Sequence, residues 1–325
     1  MAVMTYIDAI SRGMREEMER DRSVFLMGED IGGYGGAFKA TKGFLQQFGE
    51  DRVIDTPLSE AAILGAAVGA AMVGMRPIAE MQFADFVTCG FNQLVTNAAK
   101  THYRWNIPVP MVVRLPSGGY IHGGPYHSVS PESWFFHVPG LKIVAPSTPY
   151  DAKGLMKAAV RDNNPVLYLE FKYLYRRFKE DVPDEEYVVE IGKAKVRREG
   201  SDVVVFSYGS TVRQALEAAD TLSRESGAEI MVVDLRSLSP LDTSMILGAV
   251  ESTGKVLIVH EDNLTGGIGA EIAAIISERA FRYLDAPIRR VAALDTPVPF
   301  APTLEEFCLP NTQKIMSALR ELIMY

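Results

Sequence analysis

The chain has 325 residues, of which 47% are hydrophobic and 23% are charged, a balance typical of a globular protein large enough for two domains. Its formal net charge of −8 argues against a broad nucleic-acid-binding surface. The two cysteines, Cys89 and Cys308, lie far apart and form no CxxC pair, which argues against a disulfide framework or a thiolate metal cluster.

The first half of the chain alternates helical patterns with short apolar segments. A helix is predicted near residues 5 to 21, and because acids are mixed among its bases it matches neither a secretory signal nor a transit peptide. We therefore expect a cytoplasmic protein. The segments that follow are VFLMGED, a helix from Ser59, PIAEMQF, a helix near 86 to 104, PMVVRLP, LKIVAP, a helix near 149 to 162 and PVLYLEF. This alternation indicates a mostly parallel sheet covered on both faces.

The second half repeats the alternation after a polar stretch that is typical of a surface linker. Its segments are DVVVFSYG, a helix near 210 to 225, EIMVVDL, a helix near 241 to 252, KVLIVHED, a helix near 268 to 283 and PIRRVAAL. The sequence therefore predicts an α/β protein with a first domain over residues 1–180, a linker over 181–200 and a second domain over 201–325.

Glu60 stands at the head of fifteen uncharged residues, Ala61 to Met75. This stretch is short for a bilayer span and is better interpreted as a buried helix. An acid in the first turn of a helix can complement the helix dipole at the surface. The apolar neighbours favour burial instead, and a buried carboxyl group without a cation favours its neutral, hydrogen-donating form. Such an acid is a candidate functional group.

Small residues recur in the same helix, with Gly65 and Gly69 four positions apart, like Ala66 and Ala70. At that spacing they share one face of the helix. This face would allow the close approach of another helix or of a ligand, and tight packing inside the core is the alternative.

A glycine-rich segment, SGGYIHGGPYHSVSPES, contains His122 and His127. Loops of this composition often carry function. Metal ligation would need a third ligand nearby, and none is evident, so proton transfer or substrate orientation is favoured. Elsewhere, GGYGGAF and GGIGAEI both miss the third glycine of the dinucleotide fingerprint, and no GxxxxGK[ST] occurs. A nucleotide-dependent oxidoreductase is therefore a weak alternative.

Several long segments resemble one protein family. They are DTPLSE, PIAEMQFADF, HGGPYHSVSPESWFFHVPGLKIVAPSTPYDAKGL, RDNNPV, YLYR and VHEDNLTGGIGAEIA. They are similar to the beta subunits of the thiamine-diphosphate-dependent 2-oxo acid dehydrogenases, and the likeness covers essentially the whole chain. The resemblance implies a pyrimidine-binding α/β domain followed by a transketolase C-terminal-type domain. It also implies oxidative decarboxylation of a 2-oxo acid, with transfer of the acyl group to the lipoyl group of an acyltransferase.

The resemblance also implies roles for individual residues. Glu60 would hydrogen-bond the aminopyrimidine ring of the cofactor and favour its imino form, which can accept the proton of the thiazolium carbon. Leu58, Gln82 and Phe86 match positions that pack around the same ring, although relatives often have tyrosine where Phe86 stands. His127 matches a histidine assigned to proton transfer or to the handling of acyl and lipoyl groups.

No Gly-Asp-Gly segment followed by asparagine occurs in the 325 residues, so the resemblance implies that Mg²⁺ and the diphosphate are bound by an alpha subunit. The expected assembly is an α2β2 heterotetramer with the cofactor at the interface. A dihydrolipoyl acyltransferase with its lipoyl domain is the further partner expected, and the acidic Glu305 and Glu306 are candidates for its docking. Carbonyl groups implied to hold a potassium ion belong to Val109, Met111, Val112, Ala159, Asp162 and Asn164.

The segments QFADF, HGGPYHSVSPE and KYLYR resemble the branched-chain 2-oxo acid branch more than the pyruvate branch, which favours a role in branched-chain amino acid catabolism. A pyruvate or acetoin dehydrogenase beta subunit is the alternative, because much of the acyl pocket is expected on the alpha chain. A non-catalytic scaffold subunit is a more distant alternative, and the presence of both Glu60 and His127 argues against it.

Overall fold

The computed structural model describes residues 2–325, and the chain divides into two compact units. The first unit comprises the residues up to Ser117 together with Trp134–Ile191, and the second comprises Gly118–Ser133 together with Gly192–Tyr325. Each unit contains a mostly parallel sheet, which confirms the predicted fold class. Residues 118–133, called the histidine loop below, belong to the second compact unit although they lie within residues 1–180.

The histidine loop joins the second unit because its polar side chains bind there. Tyr120 Oη donates to the carbonyl oxygen of Pro310 at 2.7 Å, and Ser133 Oγ donates to the carboxylate of Asp262. These partners lie at least 129 residues further along the chain. No local sequence pattern could therefore have placed the loop.

The elements from residue 2 to residue 182, in chain order, are β1 (Ala2–Thr5), α1 (Tyr6–Arg20), β2 (Val24–Gly28), α2 (Phe44–Phe48), β3 (Val53–Asp55), α3 (Glu60–Met72), β4 (Arg76–Glu80), α4 (Ala99–Trp105), β5 (Val112–Ser117), α5 (Glu132–Phe136), β6 (Lys142–Val144), α6 (Pro149–Arg161), β7 (Val166–Phe171) and β8 (Lys179–Val182). The parallel strands of the first unit follow the order β6, β7, β5, β4, β2, β3. Strands β2 and β7 are buried at every position, as expected for a sheet covered on both faces.

The elements from residue 195 onward are β9 (Lys195–Arg198), β10 (Val203–Ser207), α7 (Thr211–Ser226), β11 (Ile230–Asp234), β12 (Ser237–Ser239), α8 (Thr243–Thr253), β13 (Val256–Asn263), α9 (Ile268–Arg279), β14 (Arg289–Ala293), α10 (Pro302–Cys308) and α11 (Thr312–Ile323). The sheet order is β14, β13, β10, β11, β9, and only β9 runs antiparallel to its neighbour. Helices α7 and α11 contribute to its core through Ala218, Leu222, Ile315 and Leu319. Among the described residues, no helix is long and apolar enough to cross a membrane.

Two predicted segments differ from the structure. The helix predicted near 86 to 104 is divided into a 3-10 segment at Ala84–Gly90, a π-helical segment at Gln93–Ala98 and α4. The predicted linker over 181–200 contains the end of β8 and the whole of β9. Strand β8 pairs with β1, and β9 pairs with β11. The polar stretch contributes edge strands because it finds partners that its own composition does not reveal.

Candidate active site

Glu60 lies at the first position of α3, and a short loop of residues 56–59 joins it to the carboxyl end of β3. It is only 8% exposed, so the predicted burial is confirmed. The preceding Ser59 occupies the N-cap position, but its side chain makes no capping hydrogen bond. The acid therefore opens the helix without the usual side-chain cap.

A second acid, Glu29, lies beside Glu60. It follows β2 at the same edge of the sheet and is 6% exposed. Its carboxylate accepts a hydrogen bond from the backbone of Ser59, while its Oε1 is buried without a hydrogen-bond partner among residues 2–325. Burial raises the pKa of Glu29, and the nearby charge of Glu60 raises it further. The two carboxyl groups thus form a buried acidic pair at this edge of the sheet.

Loops at the ends of β2, β3 and β4 complete this edge. Gln82 Nε2 donates to Asp30 Oδ2 at 3.1 Å, and the N–H of Gly32 donates to Asp55 Oδ1 at 2.6 Å. A Cβ atom at Gly32 would lie 2.4 Å from Oδ2 of Asp55, so a side chain there would have to displace this carboxylate. The carboxylate of Asp55 thereby fixes the turn that follows Glu29.

Apolar residues lie near the start of α3. The segment Ala84–Gly90 packs against α3, and a Cβ atom at Gly90 would lie 3.2 Å from the carbonyl oxygen of Glu60. Within that segment the ring of Phe86 lies 5.7 Å from that of Phe83. Leu58, two residues before Glu60, is 79% exposed. The structure thus brings Leu58, Gln82 and Phe86 to the same edge of the first sheet as Glu60.

His127 lies in the histidine loop, which belongs to the second unit. Its backbone N–H donates to the carbonyl oxygen of Gly124 at 3.3 Å. No group of three or more His, Cys, Asp or Glu side chains within residues 2–325 is arranged to hold a metal ion. Sequence reasoning linked His122 with His127, but His122 has a different partner, Glu305, whose Oε2 lies 2.7 Å from the His122 Nδ1.

That contact corrects the docking prediction for Glu305 and Glu306. Glu305 is 2% exposed and its carboxylate binds His122, so it cannot offer a charge to a docking protein. Glu306 is exposed. The reason is helical geometry, since consecutive residues of α10 point to different sides.

A cluster of acids that sequence reasoning missed lies at the end of the histidine loop. Glu132 is 1% exposed and accepts a hydrogen bond from Tyr208 Oη at 2.7 Å. Its Oε2 is buried and has no hydrogen-bond partner in the described part of the chain. Burial raises the pKa of Glu132, and the charges of Asp262 and Glu261 raise it further. Burial also raises the pKa of Asp262. A proton is therefore held in this cluster.

The segments that contain the carbonyl groups predicted for potassium lie side by side. The N–H of Val109 donates to the carbonyl oxygen of Asn163 at 3.1 Å. Arg76 Nη1 already donates to the carbonyl oxygen of Asp162 at 3.0 Å. A carbonyl oxygen has two lone pairs, so this bond leaves one available to an ion.

Comparison with known proteins identifies the family of the chain independently of its structure. Residues 2–177 match the transketolase pyrimidine-binding domain, and residues 192–315 match the transketolase C-terminal domain. The chain is 56% identical to the 2-oxoisovalerate dehydrogenase subunit beta of Bacillus subtilis, over 99% of both proteins. It is 45% identical to the pyruvate dehydrogenase E1 component subunit beta of the same organism, also over 99% of both. The corresponding Staphylococcus epidermidis subunit is 44% identical over 97% of both proteins.

A solved structure described as a split gene transketolase, inactive beta4 tetramer, has the same fold. The TM-score is 0.82, and the match covers 99% of this chain and 98% of that chain. The sequence identity is 20%, so this likeness concerns the fold alone.

Proposed function

The chain belongs to the beta subunits of the thiamine-diphosphate-dependent 2-oxo acid dehydrogenases, and we propose that it acts on a branched-chain 2-oxo acid. The observation that carries this choice is the 56% identity to the 2-oxoisovalerate dehydrogenase subunit, against 45% to a pyruvate dehydrogenase subunit. Both matches cover 99% of this chain, so the difference is not an effect of coverage.

Two buried acids are the residues best suited to the cofactor. Thiamine diphosphate, when bound, supplies the electron-sink chemistry that decarboxylation of a 2-oxo acid requires. Glu60 would make a hydrogen bond to the pyrimidine ring. Glu29 supports this fit, since its Oε1 is buried beside Glu60 without a hydrogen-bond partner among residues 2–325.

The remaining residues of the edge would bind the ring and exclude water. Phe86 supplies an aromatic surface, and the exposed Leu58 supplies an apolar side chain that lies close in sequence to Glu60. Gln82 is held in place by its hydrogen bond to Asp30. A dry site strengthens the interaction of the acids with polar ligand atoms.

We assign Mg²⁺ and the diphosphate to an alpha subunit in an α2β2 assembly. The support is the lack of a Gly-Asp-Gly segment and the exposure of an uncharged face on α3. Ala62, Ala66 and Gly69 are exposed there, and Val73, the residue that follows the helix, is 81% exposed. An exposed face without charge on a helix of the first unit is suited to contact with another subunit.

His127 would act in the later part of the reaction, by transferring a proton or by orienting the acyl acceptor. The acceptor is the lipoyl group of a dihydrolipoyl acyltransferase. Support comes from the match of His127 to the family histidine and from its place in a loop that the second unit holds by several hydrogen bonds.

The test is the ratio of kcat/KM values for 3-methyl-2-oxobutanoate and pyruvate, measured with this chain, its alpha subunit and a lipoylated acyltransferase. We expect the branched acid to be preferred by at least about tenfold, since the extra methyl groups fill a pocket. A preference for pyruvate would instead select the pyruvate dehydrogenase alternative. A stable complex that binds the cofactor but turns over neither acid would favour the scaffold alternative.

A potassium ion at the carbonyl groups around Asp162 is a separate proposal, supported by the side-by-side placement of the two segments. Its test is the midpoint of thermal unfolding in KCl and in NaCl at equal ionic strength. We expect a higher midpoint in KCl, and equal midpoints would contradict the proposal. The cytoplasmic location predicted from the N-terminal residues also stays a prediction.

A further inference from the structure

Two non-glycine residues of the histidine loop have left-handed backbone conformations. The φ angles are +60° at Tyr120 and +58° at His122. Residues with a side chain adopt this region at an energetic cost, so the surrounding structure must hold them there. Tyr120 is held through its hydroxyl group, which donates to the carbonyl oxygen of Pro310 at 2.7 Å.

His122 is held by one buried carboxylate. Its backbone N–H lies 3.2 Å from Oε1 and 3.3 Å from Oε2 of Glu305, and its Nδ1 lies 2.7 Å from the same Oε2. Glu305 is 2% exposed, whereas the side chain of His122 is 52% exposed. Since a buried carboxylate is costly without hydrogen bonds, the pair constrains both partners.

The loop packs directly on α10, the helix that carries Glu305. A Cβ atom at Gly119 would lie 2.5 Å from Cδ1 of Leu309 and 3.3 Å from Oε1 of Glu305. A side chain at this position would have to displace Leu309 and the carboxylate of Glu305. The loop therefore lies close against α10 at Gly119, and the carboxylate of Glu305 binds the loop at His122.

The turn that follows His122 determines the place of His127. The N–H of His127 donates to the carbonyl oxygen of Gly124 at 3.3 Å. A Cβ atom at Gly123 would lie 3.0 Å from the Cβ atom of His127. The backbone from 122 to 127 thus turns back on itself, and a change of φ at His122 would redirect His127.

We propose that Glu305 is a positioning residue for the reaction. Its carboxylate holds His122 in the left-handed conformation and thereby sets the direction of the His127 side chain. This inference rests on the proposed function, because it assumes that His127 takes part in the chemistry. Glu305 itself touches the loop and is not assigned any contact with substrate or cofactor.

The first test compares Glu305→Gln and Glu305→Ala with Glu306→Ala in the holoenzyme formed with the alpha subunit. Glu306 is the matched control, because it is the next residue of the same helix and is exposed. We expect kcat to fall about tenfold or more in Glu305→Ala, since small misplacements of reacting groups have large effects. Glu305→Gln should lose less, because its amide oxygen still accepts from the N–H of His122. The Kd for thiamine diphosphate should stay within about twofold of wild type in all variants.

The second test separates positioning from a merely structural role. In the His127→Ala background, the further loss caused by Glu305→Gln should be below about twofold, because residues that act through one another are not additive. A full additive loss would overturn the proposal, as would wild-type kcat in both Glu305 variants. If Glu305→Ala fails to assemble with the alpha subunit, Glu305→Gln alone tests the proposal, because glutamine has nearly the same shape as glutamate.

A third measurement does not depend on the reaction. Amide hydrogen exchange within residues 118–133 should be faster in Glu305→Gln than in Glu306→Ala, with no difference in β10 or β13. Equal exchange in the loop would overturn the inference. An inactive wild-type holoenzyme with this exchange difference would instead reject the proposed function and leave the role of Glu305 in the loop intact.

Discussion

At the scale of single residues, the carboxyl groups of Glu29 and Glu60 are the most informative feature. Both are buried, at 6% and 8% exposure, and they lie close enough for the charge of Glu60 to raise the pKa of Glu29. Two acids in one buried place cost stability unless they share protons or bind a ligand. Glu60 opens an apolar helix and Glu29 follows β2, so the pair is suited to a polar ligand bound at this edge of the sheet.

Replacing Glu60 with Gln tests that role. We expect assembly with the alpha subunit to be retained and decarboxylation to fall by about 10² to 10⁴-fold, because the amide cannot exchange a proton in the same way. The measurement is reduction of an artificial electron acceptor under saturating 2-oxo acid. Glu50→Gln, at an exposed position of the same unit, is the control and should be unaffected. Near-normal turnover of Glu60→Gln would remove the acid from the mechanism.

The buried Glu132 predicts a pH dependence of stability. Its raised pKa means that the folded state binds the proton more tightly than the unfolded state does, so the free energy of unfolding falls as pH rises above the ordinary carboxyl pKa. Asp262 and Glu261 face it and disfavour its ionised form, whereas Tyr208 Oη donates a hydrogen bond to it and partly offsets their effect. Stability should therefore decline from pH 6.5 to 8.5.

The variant Glu132→Gln should show a smaller decline, since the amide keeps an acceptor for Tyr208 Oη and cannot ionise. Urea unfolding of the chain at several pH values between 6.5 and 8.5 measures this. His260 does not interfere in that window, because burial lowers its pKa to about 4 and its contribution is lost only as pH falls below about 6.5. Identical slopes for the two proteins would show that Glu132 does not hold the proton.

At the scale of elements, α3 combines a buried side with an exposed side that carries no charge. Ile63, Leu64 and Ala67 are buried, while Ala66 and Gly69 are exposed. A Cβ atom at Gly69 would meet nothing within 4 Å in the isolated chain. The helix therefore folds on one side and leaves room on the other for a closely packed partner.

Gly69→Leu should fold normally but weaken assembly with the alpha subunit, because a leucine would overpack a close helix contact. We expect the Kd for assembly to rise at least about tenfold, measured by titration of labelled alpha subunit. Gly248→Leu in α8 is the matched control, since Gly248 is also an exposed helical glycine with open space around it. Equal Kd values for the two variants would mean that this face of α3 is not the interface.

Much of the architecture follows from local patterns. Continuous apolar segments predicted β2 and β7, and the helical spacing of apolar residues predicted α1. Each of these patterns continues over the whole element. The helix predicted near 86 to 104 was wrong as a single element, since hydrophobic spacing does not distinguish 3-10, π and α turns. The helices α10 and α11 were missed.

The candidate site could be predicted only where one segment carried the signal. Glu60 was identified because its own flanking residues are apolar. Glu29 was missed, because its burial arises from the meeting of β2 with the start of α3 and is invisible in either segment alone. Glu305 looked like part of a surface acidic pair, and only its contact with His122 reveals a buried role.

At the scale of the whole molecule, the candidate residues are divided between two units. Glu60 belongs to the first unit and His127 to the second. Along the chain, the histidine loop lies between the two segments that form the first unit. The chain contains a pyrimidine-binding domain and a C-terminal domain of the transketolase type, and it lacks the Gly-Asp-Gly segment expected to hold the diphosphate. These features support the proposal that an alpha subunit completes the cofactor site.

The most direct test is 2-oxo acid-dependent reduction of an artificial electron acceptor, with thiamine diphosphate and Mg²⁺ present. The assay compares this chain alone, the alpha subunit alone and the two together, with 3-methyl-2-oxobutanoate as substrate. We predict turnover only in the mixture, at a rate that saturates at equal amounts of the two chains. Turnover by this chain alone, or none in a stable cofactor-binding mixture, would contradict a shared catalytic site.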